Sequence, residues 1–224
     1  MTGCPTGSPP CRPAPRPACT GAHVIATART QGGLEDLDDA IYAATGQHAT
    51  LIPFDLVDGG GIDRMGGALY ERFGKLDIWV NAAATMGAEG LTPVSNADPR
   101  GFAKVEKTNF TSVYRLIRSL EPLLKASDAA RVIHLTTSVA SAPRAFWGAY
   151  AATKAGAEAL MKCWADEIES MPIRVAILDP GRRPTGPPPV PAMLNRARRA
   201  DLMGSCPSIP SSSLSTSSPA SARS

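Results

Sequence analysis

Five short runs rich in Val, Ile and Leu alternate with segments of helical period between residues 21 and 181, and this alternation restricts the chain more than any other feature. The runs are HVIATAR (23–29), TLIPFD (50–55), LDIWVN (76–81), RVIHLTTS (131–138) and RVAILDPG (174–181). Between them lies LEDLDDAIYAA (34–44), with Leu34, Leu37, Ile41 and Ala44 at helical spacing. The sequence predicts three more helices: 62–73, weakened by two glycines; Phe102 to Leu120, disturbed after its end by Pro122; and 149–170, rich in small residues on one side. Strand–helix alternation of this kind predicts an α/β fold, a doubly wound parallel sheet with helices on both faces. LDIWVN is nearly all apolar, as a strand buried on both faces should be. Ligands of such sheets bind outside the carboxyl ends of the strands. Arg29, Asp55, Asn81, Ser138 and Pro180–Gly181 all fall at that rim.

The ends have a different texture. Six of the 21 prolines lie in residues 1–20 and eight after Arg182. Proline removes a backbone donor and cannot sit inside a helix or a central strand. Residues 1–20 therefore read as irregular, 21–181 as the folded domain, and 182–224 as a Pro/Ser/Arg-rich tail expected to be disordered. The formal net charge of +3 is carried by the flanks, and the mildly acidic middle argues against a nucleic-acid groove. No apolar run is long enough to span a membrane. Four of the five cysteines (Cys4, Cys11, Cys19 and Cys206) lie in the flanks at no zinc-site spacing, and no metal site is expected. With no secretory segment, they read as reduced thiols of a cytoplasmic protein.

One stretch carries chemistry. SVASAPRAFWGAYAATK (138–154) holds Ser138, then Tyr150, then Lys154 one helical turn further on. An ammonium on the same helix face as a phenol favours the phenolate and is expected to lower its pKa into the range of a general acid or base. Ser138 closes a strand-like run, where its hydroxyl could bond a substrate oxygen facing the tyrosine. The set suits proton transfer at a carbonyl or alcohol oxygen while hydride moves at the adjacent carbon. Phe146 and Trp147 read as packing or pocket wall, and His23, His48 and His134 as isolated histidines without ligand or base roles.

With these residues in view, the chain resembles the short-chain dehydrogenase/reductase family. The resemblance runs from about Gly21 to Gly181 and is carried, in order, by FDLVD with Asp55, NAAA (81–84), TNF with Asn109, Ser138, Tyr150-Ala-Ala-Thr-Lys154 and Asp179-Pro180-Gly181. It implies a Rossmann-like sheet and an oxidoreductase acting between a nicotinamide cofactor and a small carbonyl or alcohol substrate. Tyr150 would be the acid/base. Lys154 would lower its pKa and hold the nicotinamide ribose, Ser138 the substrate oxygen, and Asn109 a proton relay through water. Asp55 and Leu56 would meet the adenine, Asn81, Ala82 and Ala83 would pass along its ribose, and Pro180 and Gly181 would face the nicotinamide. Where an acidic side chain would select NAD(H), this chain has Ala28 followed by Arg29, whose guanidinium can grip a 2′-phosphate, so NADP(H) is expected ahead of NAD(H). Arg29 also reads as a solvated strand-end charge, Asp55 as a turn cap and Asn109 as an ordinary polar helix position. The resemblance further implies a homodimer or homotetramer joined through the helices from Phe102 and Ala149.

The resemblance fails at both ends. Thr2, Gly3 and Gly7 match the first half of the family's glycine-rich phosphate turn, but its third glycine falls at Pro9, with no strand before and no helix after. Beyond Gly181 the expected helix and last strand give way to RRPTGPPPVPAMLNRARRADLMG and a serine-rich tail. The expected fold is therefore the family's sheet without its first strand–helix unit and its last strand. The alternative function is a catalytically inactive, truncated or frame-shifted relative that binds no cofactor.

Overall fold

The computed structural model describes residues 21–88 and 90–181. Expectations for Thr2, Gly3 and Gly7, and for the two flanks, lie outside these residues. The described elements run β1 (Ile25–Ala28), α1 (Gln31–Thr45), β2 (Thr50–Pro53), α2 (Gly59–Phe73), β3 (Ile78–Asn81), a 3-10 turn (Val94–Asn96), α3 (Pro99–Glu106), a π turn (Lys107–Thr111), α4 (Ser112–Lys125), β4 (Ala130–Leu135), α5 (Ser138–Ser141), α6 (Gly148–Glu167) and β5 (Ile173–Leu178). Every predicted strand and helix is present, and all strand pairs are parallel.

The strands form two sheets, β1-β2 and β3-β4-β5. Among the described residues no strand joins β1 to β3, the gap expected of a sheet without its first family strand. The main core lies on one side of both sheets. It packs Ile62, Met65 and Leu69 of α2, Leu116, Leu120 and Leu124 of α4, and Ala157, Met161 and Trp164 of α6 against Ile25, Trp79, Val132 and Ile173 of the strands. Trp79 and Trp164 meet edge to face, their ring centroids 6.2 Å apart. Helix α1 packs on β1 and β2, burying Leu34 and Ile41 outside that core. Gly66 allows the tight crossing of α2 over α4. A Cβ there would lie 1.9 Å from the Ser119 hydroxyl and 2.8 Å from the Ser119 carbonyl oxygen. One of the two glycines that weaken 62–73 as a helix is thus needed for its packing.

Three expectations are corrected. β3 is not buried on both faces, since Ile78 is 46% exposed and, across the sheet, Leu178 of β5 is 52% exposed. The described helices cover one face of β3-β4-β5, so the alternation of each strand shows in its burial. Pro122 does not end the helix, which continues to Lys125. A proline forfeits one hydrogen bond near a helix end, and Leu123 and Leu124, 1% and 0% exposed, anchor the last turn in the core. Ser138 does not end a strand. β4 stops at Leu135, and Ser138 opens the four-residue helix α5, its carbonyl accepting from the Ala142 N–H at 2.9 Å.

Candidate active site

Two clefts open along the carboxyl rim of the strands. The first, with about 430 Å³ of empty space, lies beyond β1 and β2. Arg29, Asp55, Leu56 and Ala83, four of the expected cofactor residues, line it together with Thr27 and Thr108. Asp55 has two tasks there. Its Oδ1 accepts the Val57 N–H at 3.1 Å, closing the turn before α2, while the residue forms part of the cleft wall. Asn81 does not face this cleft with its side chain. It is 4% exposed, and its Nδ2 donates to Nδ1 of His134 on β4 at 3.1 Å. The segment after β3 therefore presents Ala83 and backbone to the cleft, not the asparagine amide. Ala82 is half-buried and does not line it.

The second cleft, with about 540 Å³ of empty space, contains Tyr150 in its wall. Tyr150 and Lys154 both project from α6, but no hydrogen bond joins them. Lys154 is 3% exposed and its Nζ donates to the Leu135 carbonyl of β4 at 2.5 Å. Burial pushes the ammonium down to about 8, against the pull of the Glu158 carboxylate. The phenol of Tyr150 is held above its ordinary value, by burial first and by the Asp179 carboxylate second. This corrects the expectation of a lowered phenol. The ammonium is spent on a strand carbonyl, and the charge felt by the tyrosine is the wrong sign for a phenolate.

Asn109 sits in the π turn, 1% exposed. One extra residue in the helical turn is a frequent mark of functional positions. Its Oδ1 accepts the Thr85 N–H at 2.7 Å, and its Nδ2 donates to the Thr85 carbonyl at 2.8 Å and to Thr153 Oγ1 at 3.2 Å. Both amide hydrogens are used, so the side chain ties the loop after β3 to α6. Ser138 is exposed at the start of α5. Pro180 and Gly181 are exposed just beyond β5, where Asp179 Oδ1 accepts the Gly181 N–H at 2.9 Å.

Sequence reasoning passed over Asp179 and Thr153. Asp179 was visible only as the first residue of Asp-Pro-Gly. Thr153, buried inside the Tyr-to-Lys turn, donates to the Ala149 carbonyl at 2.8 Å and receives Asn109. His134 is 1% exposed, its Nε2 without a hydrogen-bond partner, and burial next to Lys154 depresses it to about 4. The imidazole is therefore neutral beside the buried ammonium, and its Nδ1 accepts from Asn81. Among the described residues, no group of three or more His, Cys, Asp or Glu could hold a metal, and no helix is long and apolar enough to cross a membrane.

Comparison with known proteins bears on this geometry. The chain is 29% identical over 163 residues to the uncharacterized oxidoreductase YciK of Escherichia coli K12, covering 72% of this chain and 64% of that protein. It is 34% identical over 174 residues to the rhamnolipids biosynthesis 3-oxoacyl-[acyl-carrier-protein] reductase of Pseudomonas aeruginosa, covering 74% of this chain and again 64% of the relative. The match thus spans a little under two thirds of the length of these curated relatives. A solved short chain dehydrogenase structure from Escherichia coli CFT073, in complex with NADPH, superposes with a TM-score of 0.70 at 30% identity over 75% of this chain and 70% of that one. The family model described as short chain dehydrogenase matches residues 14–186. The chain belongs to the short-chain dehydrogenase family of oxidoreductases.

Proposed function

We propose that the chain interconverts a carbonyl and an alcohol with NADP(H) as the redox partner. The observation that carries this reading is the placement, along one strand rim, of the Arg29/Asp55 cleft and of the Tyr150 cleft with Lys154 behind it. A nicotinamide dinucleotide suits the described residues. Arg29 at the end of β1 offers a cation to a 2′-phosphate, and Asp55, Leu56 and Ala83 offer a shallow wall to the adenosine end. Thr2, Gly3 and Gly7 would meet the pyrophosphate, and Pro180 and Gly181 the nicotinamide. When bound, the nicotinamide supplies or accepts the hydride.

The side chains of this protein handle the proton. A phenol held above its ordinary value stays protonated at neutral pH, so Tyr150 is loaded as a general acid for carbonyl reduction. Alcohol oxidation needs that proton removed and is favoured only at higher pH. Lys154, at about 8, keeps its charge below that pH, and on this reading it holds the nicotinamide ribose. Ser138, exposed at the opening of α5, holds the substrate oxygen. Asn109 acts by position, fixing the loop at Thr85 against α6. Self-association through α4 and α6 belongs to the same reading, with Tyr114, 46% exposed on α4, as apolar surface for a partner copy.

Titration of the chain with NADPH and with NADH, followed by nucleotide fluorescence, tests the cofactor assignment. NADPH should bind at least tenfold tighter than NADH, and Arg29→Ala should abolish most of that difference while leaving NADH binding within about threefold. Equal affinity for both nucleotides in the unchanged chain refutes the Arg29 assignment, and no binding of either refutes the function.

A further inference from the structure

The cleft beside Tyr150 is walled by apolar side chains from three separate stretches, and they are among the most exposed apolar groups of the described fold. Met86, Val94, Phe102 and Phe146 are 37%, 71%, 40% and 40% exposed, and all four line this cleft. Leu91 and Trp147 complete it, the Trp147 ring meeting the Tyr150 ring at 5.9 Å between centroids. Among the described lining residues there is no Asp, Glu, Lys, Arg or His and no side-chain amide. A soluble fold that gathers exposed apolar groups around one reactive phenol marks a binding surface rather than a packing defect.

The walls are also held in place. The Thr92 N–H donates to the Phe146 carbonyl at 3.1 Å, tying the loop after β3 to the segment before α6. Phe146 has φ of 71°, a left-handed conformation that costs a bulky side chain energy. Asp98 caps α3 by accepting the Gly101 N–H at 2.8 Å, which sets the helix carrying Phe102. The strained residue is one whose ring lines the cleft, as expected where backbone strain serves a site.

We infer that the substrate is an uncharged carbonyl compound with an apolar chain or ring, seated in this cleft with its oxygen toward Tyr150, and not a phosphorylated, carboxylated or sugar-like carbonyl. This rests on the proposed redox function for its chemistry. With the hydride supplied to the carbonyl carbon by a bound nicotinamide, which would leave oxidised, the Tyr150 phenol would give its proton to the oxygen to form the alcohol and, as phenolate, take another from solvent.

A homologous series of methyl ketones from 2-butanone to 2-decanone tests it, with NADPH consumption followed in the full chain. Each added methylene should raise kcat/KM about fourfold until the cleft is filled. 7-Oxooctanoate, which differs from 2-octanone by a carboxylate at the far end, should be at least tenfold poorer. Ketone affinity is read separately by tryptophan fluorescence in Tyr150→Phe, which needs no turnover, and should climb along the same series. Val94→Asp, at a position exposed enough to keep a charge solvated, should flatten both gradients. A flat series, a preference for 7-oxooctanoate, or gradients unchanged in Val94→Asp overturns the inference. Ketone binding that climbs with chain length, without any turnover in the unchanged chain, leaves the apolar cleft standing and refutes the redox function instead.

Discussion

Replacing Lys154 with methionine should change how stability depends on pH, and the size follows from the buried ammonium. Lys154 is 3% exposed, and its pKa falls from 10.5 to about 8 on folding, chiefly through burial. The folded pKa lies below the unfolded one, so between the two the unfolded chain holds a proton that the folded chain has shed. Stability therefore rises with pH across that window. The full effect is about 3 kcal/mol, at about 1.4 kcal/mol per pH unit of separation. Below pH 8 the folded protein carries the penalty of a charge taken out of water; towards pH 10.5 it is relieved. Lys154→Met keeps the length of the side chain and removes the titration. Urea unfolding of both proteins from pH 7 to pH 10 gives the difference directly, and groups that titrate alike in both cancel. The unchanged protein should gain about 2 to 3 kcal/mol on the variant over this range. His134, at about 4, has already lost its proton below the range. A gap that stays constant with pH would mean that Lys154 is not buried as a cation, and the argument from desolvation would be wrong.

Gly66→Ala should destabilise the protein by about 1 to 3 kcal/mol through overpacking at Ser119, whereas Gly67→Ala, with nothing within 4 Å of its Cβ, should stabilise it by about 0.5 to 1 kcal/mol through helix propensity; paired thermal melts read both, and equal shifts would refute the close crossing. Asn109→Ala leaves the Thr85 N–H and C=O without their partner and should cost about 2 to 3 kcal/mol. It should also lower kcat more than it raises KM, and activity loss without loss of stability would contradict the positioning role. The rate of carbonyl reduction should fall as pH rises above about 8, where Lys154 loses its charge, and in Lys154→Met the pH-rate profile should lose that step.

Strand and helix order were legible because β-branched runs and helical periodicity are local signals. The runs around Ile25, Leu51, Trp79, Val132 and Val175 all became strands. What local patterns could not carry was how a side chain is spent. Tyr150 and Lys154 share a helix one turn apart, yet the ammonium reaches a carbonyl of β4 that no spacing rule foretells. Asn81 is a strand-end asparagine in the sequence and a cross-strand partner of His134 in the fold. Gly66 reads as a weak point in a helix until Ser119, far along the chain, is found against it. Of the apolar cleft only the Phe146 and Trp147 wall was legible, since Met86, Val94 and Phe102 join it only by tertiary contact. The residues expected at the phosphate end, Thr2, Gly3 and Gly7, lie outside the described residues.

The reading that Tyr150 hands a proton to a substrate oxygen is tested most directly by Tyr150→Phe, assayed for NADPH-dependent ketone reduction alongside NADPH affinity. Loss of a general acid costs roughly 10² to 10⁴ in rate. The account predicts a fall in kcat of at least a hundredfold with NADPH affinity within about threefold. Reduction at the rate of the unchanged protein would contradict it.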